Sequence, residues 1–489
     1  MNTDAFGSAL QDHLARQRDK LFCAFSADSA VLTFGTAYER VTACADALRN
    51  VGIGPGSRVA ILLPTSAELV VHLLAILRVG ALAVPMEPTA HPDTLAVLIK
   101  ILEPHLVASA SQAAGATAQP SPERGVSWAV SASAALSSET EPARLGIFTS
   151  GSTGVPKCVL LSEANLLNGV QYVREAHGVG KQDTAVCCLP LSHINGIVTT
   201  LLTPLMTGGS VVFIQGSFSP LSFVDIVRRF RGTWLSAVPT HYRMLLDLRE
   251  SPKGLEACQF GRSASAPLPP SVQERFEALF RIPIIETMGL TECAGQVFSN
   301  PMTLTARKFG SVGRPVGNEA EVVDDRDNPL PDGQAGEIRV RGPNVMLGYF
   351  RAPKETTEVL RDGWLYTGDL GYRDGDGFFH ITGRKKLIAI FSGINISLVA
   401  VEQAAKSLPF VKDAAAVACS DTLFGEVVDL YYTGGGEDLA RERREIQGQV
   451  RRLLPHHLAM RNVRRIDEVP RSASGKVLRY RLAPGGANR

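Results

Sequence analysis

The chain has no excess of charge of either sign: 50 Lys and Arg oppose 48 Asp and Glu, a formal net charge of +2 over 489 residues. Without a basic stripe there is no electrostatic footprint for nucleic acid or an anionic membrane, and neither partner is expected. Long apolar runs are also missing. The most apolar stretch, Leu69 to Pro85, is broken by His72 and Arg78 and falls short of the roughly 20 residues a membrane span requires. It reads as a buried helix followed by a strand. The N-terminal segment MNTDAFGSALQDHLARQRDK carries charges before an apolar core of signal-peptide length can develop, which predicts a cytoplasmic location. Cysteine is sparse: there are eight, without a CxxC pair or a Cys/His cluster of zinc spacing, and Cys187 and Cys188 are merely adjacent. Reduced thiols are expected.

What is present predicts a folded enzyme of several domains. The length exceeds the roughly 250 to 300 residues at which single hydrophobic cores stop growing. In the first half, VAILLP (Val59 to Pro64) and ALAVPM (Ala81 to Met86) flank a segment with apolar residues at helical spacing, a strand, helix, strand unit. LGIFTS, AVCCLP, SVVFIQ and IPIIET read as further strands. The Ala-, Ser-, Pro- and Gln-rich stretch from Ala108 to Glu141 reads as a connection with at most one strand. From about residue 310, short strands and Gly/Asp turns predict a β-rich module. After GRKK (Gly383 to Lys386), about a hundred residues with their own helices and strands suffice for a small domain. The expected architecture is α/β: a large N-terminal domain, 1–384, of layered α/β subdomains plus the β-rich module, and a small α+β C-terminal domain, 385–489.

The strongest chemical signal is TSGSTGVPK, Thr149 to Lys157. A strand runs into a loop holding Gly151 and Gly154, the hydroxyls of Thr149, Ser150, Ser152 and Thr153, and a terminal lysine. Glycines let successive backbone N–H groups turn toward one anion, and hydroxyls and ammonium add donors. The pattern is a phosphate cradle. It is neither GxxxxGK[ST] nor a GxSxG nucleophile elbow.

This loop resembles the signature of the adenylate-forming enzymes, which include acyl- and aryl-CoA synthetases, peptide-synthetase adenylation domains and luciferases. Further segments match that family in order: LPLSHING (Leu189 to Gly196), SASAPLPP (Ser263 to Pro270), ETMGLTE (Glu286 to Glu292), GEIRVRGPNVMLGYF, WLYTGDLG, ITGRKK and PRSASGKVLRYRL (Pro470 to Leu482). The resemblance implies that a carboxylate and ATP form an acyl-adenylate and pyrophosphate, followed by transfer to a thiol such as that of CoA. It assigns the β- and γ-phosphates to the loop through Lys157, Mg²⁺ to Glu292 and the α-phosphate to Thr291. Ser265, Ala266 and Pro267 would pack on adenine, with Thr287 and Met288 beside the nucleotide. Asp369 and Arg384 would hold the ribose. His193 would gate the acid, and Lys476 would bridge carboxylate and α-phosphate. A hinge near Lys386 would then exchange the Lys476 loop for a second face containing Gly393 and forming a channel for the pantetheine arm.

That second face departs from the family. Where many relatives read like RGGEKISPREVE, this chain has FSGINISLVAVE from Phe391 to Glu402, so Ser392, Ile394, Leu398 and Ala400 differ. Three readings follow: a complete acyl-CoA ligase, an enzyme performing one half-reaction or loading a carrier-protein thiol, and a nucleotide-binding protein without catalysis. A homodimer is compatible with each. The acid pocket would be lined by His193 to Val198, Thr233 to Val238, Ser263 to Ala266 and Thr287 to Leu290. That lining is mostly apolar, while Arg262 and Arg243 offer a place for a second acidic group. Hydrophobic acids and short polar ones both remain open.

Overall fold

The structure is a computed structural model. It describes residues 4–27, 30–110, 118–131, 142–149, 156–216, 218–248, 252–391, 394–421, 425–436, 438–453, 460–471 and 477–482. The fold is mixed α/β, and the chain divides into two compact units, one comprising 1–319 with 341–365 and the other 320–340 with 366–489.

The first unit is built on two large sheets. One has nine strands, and six of them run parallel side by side: Leu21–Phe25, Ser210–Phe213, Thr184–Cys187, Trp234–Ala237, Phe260–Ser263 and Ile284–Leu290. Their short apolar runs are buried along nearly their whole length, as expected where helices cover both faces of a parallel sheet. Gly295–Ser299 and Arg314–Pro315 continue one edge antiparallel. The second sheet has eight strands, with Arg58–Leu62 between Leu82–Pro85 and Leu106–Ser109, both parallel to it.

Helix Ala67–Arg78 joins two of those strands, as its periodicity predicts. The Ser66 hydroxyl caps its N-terminus by accepting from the Leu69 N–H, and every residue from Leu69 to Leu77 is buried. One expectation fails. The stretch from Ala108 to Glu141 contributes two antiparallel strands to the sheet, Ala118–Pro120 and Ser127–Val130. Its Ala/Ser composition conceals one anchor: Trp128 is buried and donates its indole N–H to His72 Nε2 at 3.0 Å.

In the second unit, strands Trp364–Arg373 and Phe379–Arg384 pair antiparallel. A separate five-stranded sheet follows, with Gly425–Gly434 between Val411–Asp421 and Ile388–Phe391. Helices Leu398–Lys406 and Leu439–Leu453 accompany it, and Val401, Ala405, Leu430, Ile446 and Val450 share its core. All eight cysteines are free thiols, seven of them buried. Among the described residues no helix is long and apolar enough to cross a membrane.

Candidate active site

Strands Ala143–Thr149 and Lys157–Ser162 pair antiparallel, with Thr149 opposite Lys157. The two residues close the base of the proposed phosphate loop, and Thr149 Oγ1 donates to the Lys157 carbonyl at 3.4 Å. Ser150, Gly151, Ser152, Thr153 and Gly154 lie outside the described residues, as do Gly393 and Lys476. The Lys157 ammonium stands 5.1 Å from the centroid of the Tyr349 ring, a cation–π distance. The Tyr349 hydroxyl donates to Glu292 Oε1 at 2.9 Å.

Tyr349 therefore connects the loop lysine to the carboxylate assigned to magnesium. Its backbone is fixed from two directions: it pairs with Val159 on the lysine's own strand, and its N–H donates to Thr356 Oγ1 at 2.9 Å. Glu292 sits in the short turn Thr291–Cys293 after strand Ile284–Leu290. That turn is held by Met346 N–H on the Glu292 carbonyl and by the Asn344 amide on the Cys293 carbonyl. The role of Tyr349 escapes the residue-by-residue reading, although the aromatic is visible within GEIRVRGPNVMLGYF.

A single half-buried carboxylate suits Mg²⁺, which keeps several waters and takes its remaining ligands from substrate phosphates. Glu292 fits that role. Among the described residues no cluster of three or more His, Cys, Asp or Glu forms a cage for a structural metal.

The expected adenine-contacting turn is exposed at Ser265, Ala266 and Pro267, and Ser265 holds φ 72°, a left-handed conformation rare for a residue with a side chain. Its flanks are tied down. Ala264 N–H donates to the Ala237 carbonyl, and Leu268 N–H donates to Glu286 Oε1 at 3.1 Å. The second Glu286 oxygen is buried without a partner, and burial pushes this carboxyl up to about 7. Thr287 is buried and donates to the Ser263 carbonyl at 3.2 Å, while Met288 is half-buried next to it. Glu286, which has no role of its own in the motif ETMGLTE, anchors the turn.

In the second unit, Asp369 and Arg384 face each other across paired strands. The Asp369 carboxylate is buried, and Arg384 grips both its oxygens, with Nη2 to Oδ2 at 3.3 Å. The structure thus brings together the two residues matched to the ribose site.

His193 lies six residues beyond strand Thr184–Cys187 and leads directly into a π-helix, Asn195–Leu202. Wide turns of this kind are rare and concentrate at functional sites. Gly196 is required here, because a Cβ would meet the Pro190 carbonyl oxygen at 2.5 Å. The buried Nε2 of His193 has no partner, and burial lowers the ring's pKa against the opposing influence of Glu87. The imidazole is neutral at physiological pH. His241 stacks on Phe218 at 4.3 Å. Trp234 begins its strand and stacks on Phe260, and Arg243 is exposed.

Comparison with known proteins agrees with this geometry. Residues 10–350 match the AMP-binding enzyme family, and residues 400–476 match the AMP-binding enzyme C-terminal domain. The chain is 36% identical to the sulfoacetate–CoA ligase of Cupriavidus necator, covering 98% of this chain and 97% of that one. It is 30% identical to a long-chain-fatty-acid–CoA ligase of Escherichia coli, covering 99% and 95%. Its fold superposes on ATP-bound MatB from Rhodopseudomonas palustris with a TM-score of 0.82 at 26% identity, covering 97% of this chain and 98% of that one. The fold is that of an ATP/AMP-binding protein, and the chain belongs to the AMP-binding enzyme family, the adenylate-forming enzymes.

Proposed function

We propose that this acyl-CoA ligase performs both half-reactions on one chain, with Mg²⁺ as its metal and CoA as its thiol acceptor. The observation that carries this reading is the continuous line from Lys157 through Tyr349 to Glu292, which couples a phosphate-binding strand end to a magnesium-competent carboxylate. In the first step a carboxylate oxygen of the acid attacks the α-phosphorus and pyrophosphate leaves. Anions are brought together in that step, so the site supplies positive charge and hydrogen-bond donors in place of a strong base. Lys157 and the loop hold the departing phosphates, Thr291 faces the α-phosphate, and Lys476 bridges the two reacting groups. Glu292 would hold Mg²⁺, which when bound would supply positive charge to the phosphates.

In the second step the CoA sulfur attacks the acyl carbon and AMP leaves. Neutral His193 neither repels nor protonates the incoming thiol, consistent with a gate beside the acid. A hinge at Lys386, within the second compact unit, would separate the two steps in time, because rotation there would withdraw Lys476 and present the segment containing Gly393. The departures in that segment are compatible with a working second face. Ser397 caps helix Leu398–Lys406 by accepting from Ala400 N–H, and Leu398, at the first helical position where relatives carry proline, is buried in the core.

Relatives of near-complete coverage are named for sulfoacetate and for long-chain fatty acids, so family likeness leaves this chain's acid open. The two-step assignment is tested with Lys476→Ala. The variant should lose acid-dependent pyrophosphate release by at least about 100-fold and still form acyl-CoA from a supplied acyl-adenylate. Equal loss of both steps would refute it.

A further inference from the structure

Beside the residues matched to the ribose stands a carboxylate to which the motifs give no role. Glu337 lies on strand Gly336–Arg341, which neighbours Trp364–Arg373 in its sheet, and its side chain is 11% exposed. Each of its oxygens has a partner. Oε1 accepts from the Gly368 N–H at 3.2 Å, and Oε2 accepts from the Lys385 ammonium at 3.0 Å. Gly368 immediately precedes Asp369, and Lys385 immediately follows Arg384. One carboxylate therefore grips a chain neighbour of Asp369 and a chain neighbour of Arg384, and those two are themselves ion-paired.

On the ribose side the backbone is fixed. Thr367 Oγ1 donates to the Ile338 carbonyl at 2.7 Å and accepts from the Asp369 N–H at 3.0 Å, which cross-links the two strands next to Glu337. Gly368 takes φ 72°, a left-handed conformation that glycine adopts without strain. On the other side, Lys385 opens the short turn Lys385–Leu387, the covalent link from strand Phe379–Arg384 to strand Ile388–Phe391 of the separate five-stranded sheet. The Lys385 side chain is 51% exposed, and its other carboxylate partner among the described residues, Asp325 at 3.6 Å, is 96% exposed. An ion pair so open to water adds little to global stability. Its place at the edge of the hinge gives it a different use.

We infer that Glu337 is a positioning residue that couples occupancy of the ribose site to the hinge, holding Gly368 beside Asp369 with one oxygen and Lys385 with the other. The inference rests on the ribose and hinge assignments above. A nucleotide held by Asp369 orders the backbone from Thr367 to Asp369, and the Gly368 N–H passes that order to Glu337 and so to Lys385. The clamp keeps Lys385 with the strand that precedes it, which confines rotation to Lys386 and the residues beyond. Without the clamp the turn is released one residue earlier, and a bound nucleotide no longer influences it.

The test measures hydrogen exchange across residues 383–391 with and without AMP, and AMP affinity by calorimetry, in the wild type, Glu337→Gln, Lys385→Met and the double variant. Glu337→Gln keeps an acceptor for Gly368 and removes the charge. Lys385→Met alters an exposed residue and keeps the protein testable if Glu337→Gln fails to fold. In the wild type AMP should slow exchange by about 5-fold, the lower range for coupling between two sites. Both single variants and the double variant should lose that protection to the same extent, with AMP affinity lowered by no more than about 5-fold, because coupling is reciprocal. Protection that survives in either single variant, a double variant worse than both, or AMP-bound wild type without protection would overturn the role of Glu337. Asp369→Asn separates this inference from the reading beneath it: AMP affinity unchanged in that variant would refute the ribose assignment, whereas weakened AMP binding there, with protection persisting in Glu337→Gln, would refute the coupling alone.

Discussion

Tyr349 makes one hydroxyl responsible for the position of the Glu292 carboxylate, and that is a claim about a single atom. In Tyr349→Phe the ring stays over Lys157 while the hydrogen bond to a charged group, worth roughly 1.5 to 3 kcal/mol, is lost. The KM for Mg-ATP should rise by about 10-fold with a steeper dependence on free magnesium, measured by pyrophosphate release. Unchanged magnesium dependence would mean that Glu292 needs no such support. Glu286 gives a prediction of different kind. Its folded-state value of about 7 lies above the ordinary 4.5, so between those values the folded protein holds a proton that the unfolded chain releases. Stability from this group is therefore lost as pH rises through that window. The Tm of Glu286→Gln relative to wild type should increase from pH 5 to pH 8; parallel Tm curves would contradict a buried protonated carboxyl. Thr149 and Lys157 were legible through their neighbours in sequence, and the structure pairs them. Tyr349 and Glu286 were not, because each acts through a partner distant along the chain: Glu292 for the first, Leu268 for the second.

At the scale of elements, apolar runs bounded by turn residues announced Arg58–Leu62, Leu82–Pro85, Thr184–Cys187, Ser210–Phe213 and Ile284–Leu290 but not Leu21–Phe25, Trp234–Ala237 or Phe260–Ser263, and helical spacing announced Ala67–Arg78. The π-helix was not announced. NGIVTTLL is apolar throughout, and no periodicity in eight such residues distinguishes a wide turn from an ordinary helix or strand. What selects it is tertiary: Gly196 against the Pro190 carbonyl and Asn195 against Arg262. Gly196→Ala should cost roughly 1 to 3 kcal/mol through overpacking and raise the KM for the acid more than that for ATP. The comparison is made by thermal unfolding and steady-state kinetics. An equal rise in both KM values would detach the helix from the acid site. The strands of 118–130 were missed for a related reason, since alanine and serine hide a pairing that one buried tryptophan secures.

The whole molecule separates a large unit on two mixed sheets, 1–319 with 341–365, from a smaller one, 320–340 with 366–489. The ordered series of motifs carried the family. The central claim is that one chain both makes and consumes an acyl-adenylate. Its most direct test incubates the protein with Mg-ATP, CoA and a panel of free acids, and reads acyl-AMP and acyl-CoA by mass. Acyl-CoA formed from a free acid, with AMP in equal amount, is the predicted result. Acyl-AMP alone, or acyl-CoA only when the adenylate is supplied, would contradict it.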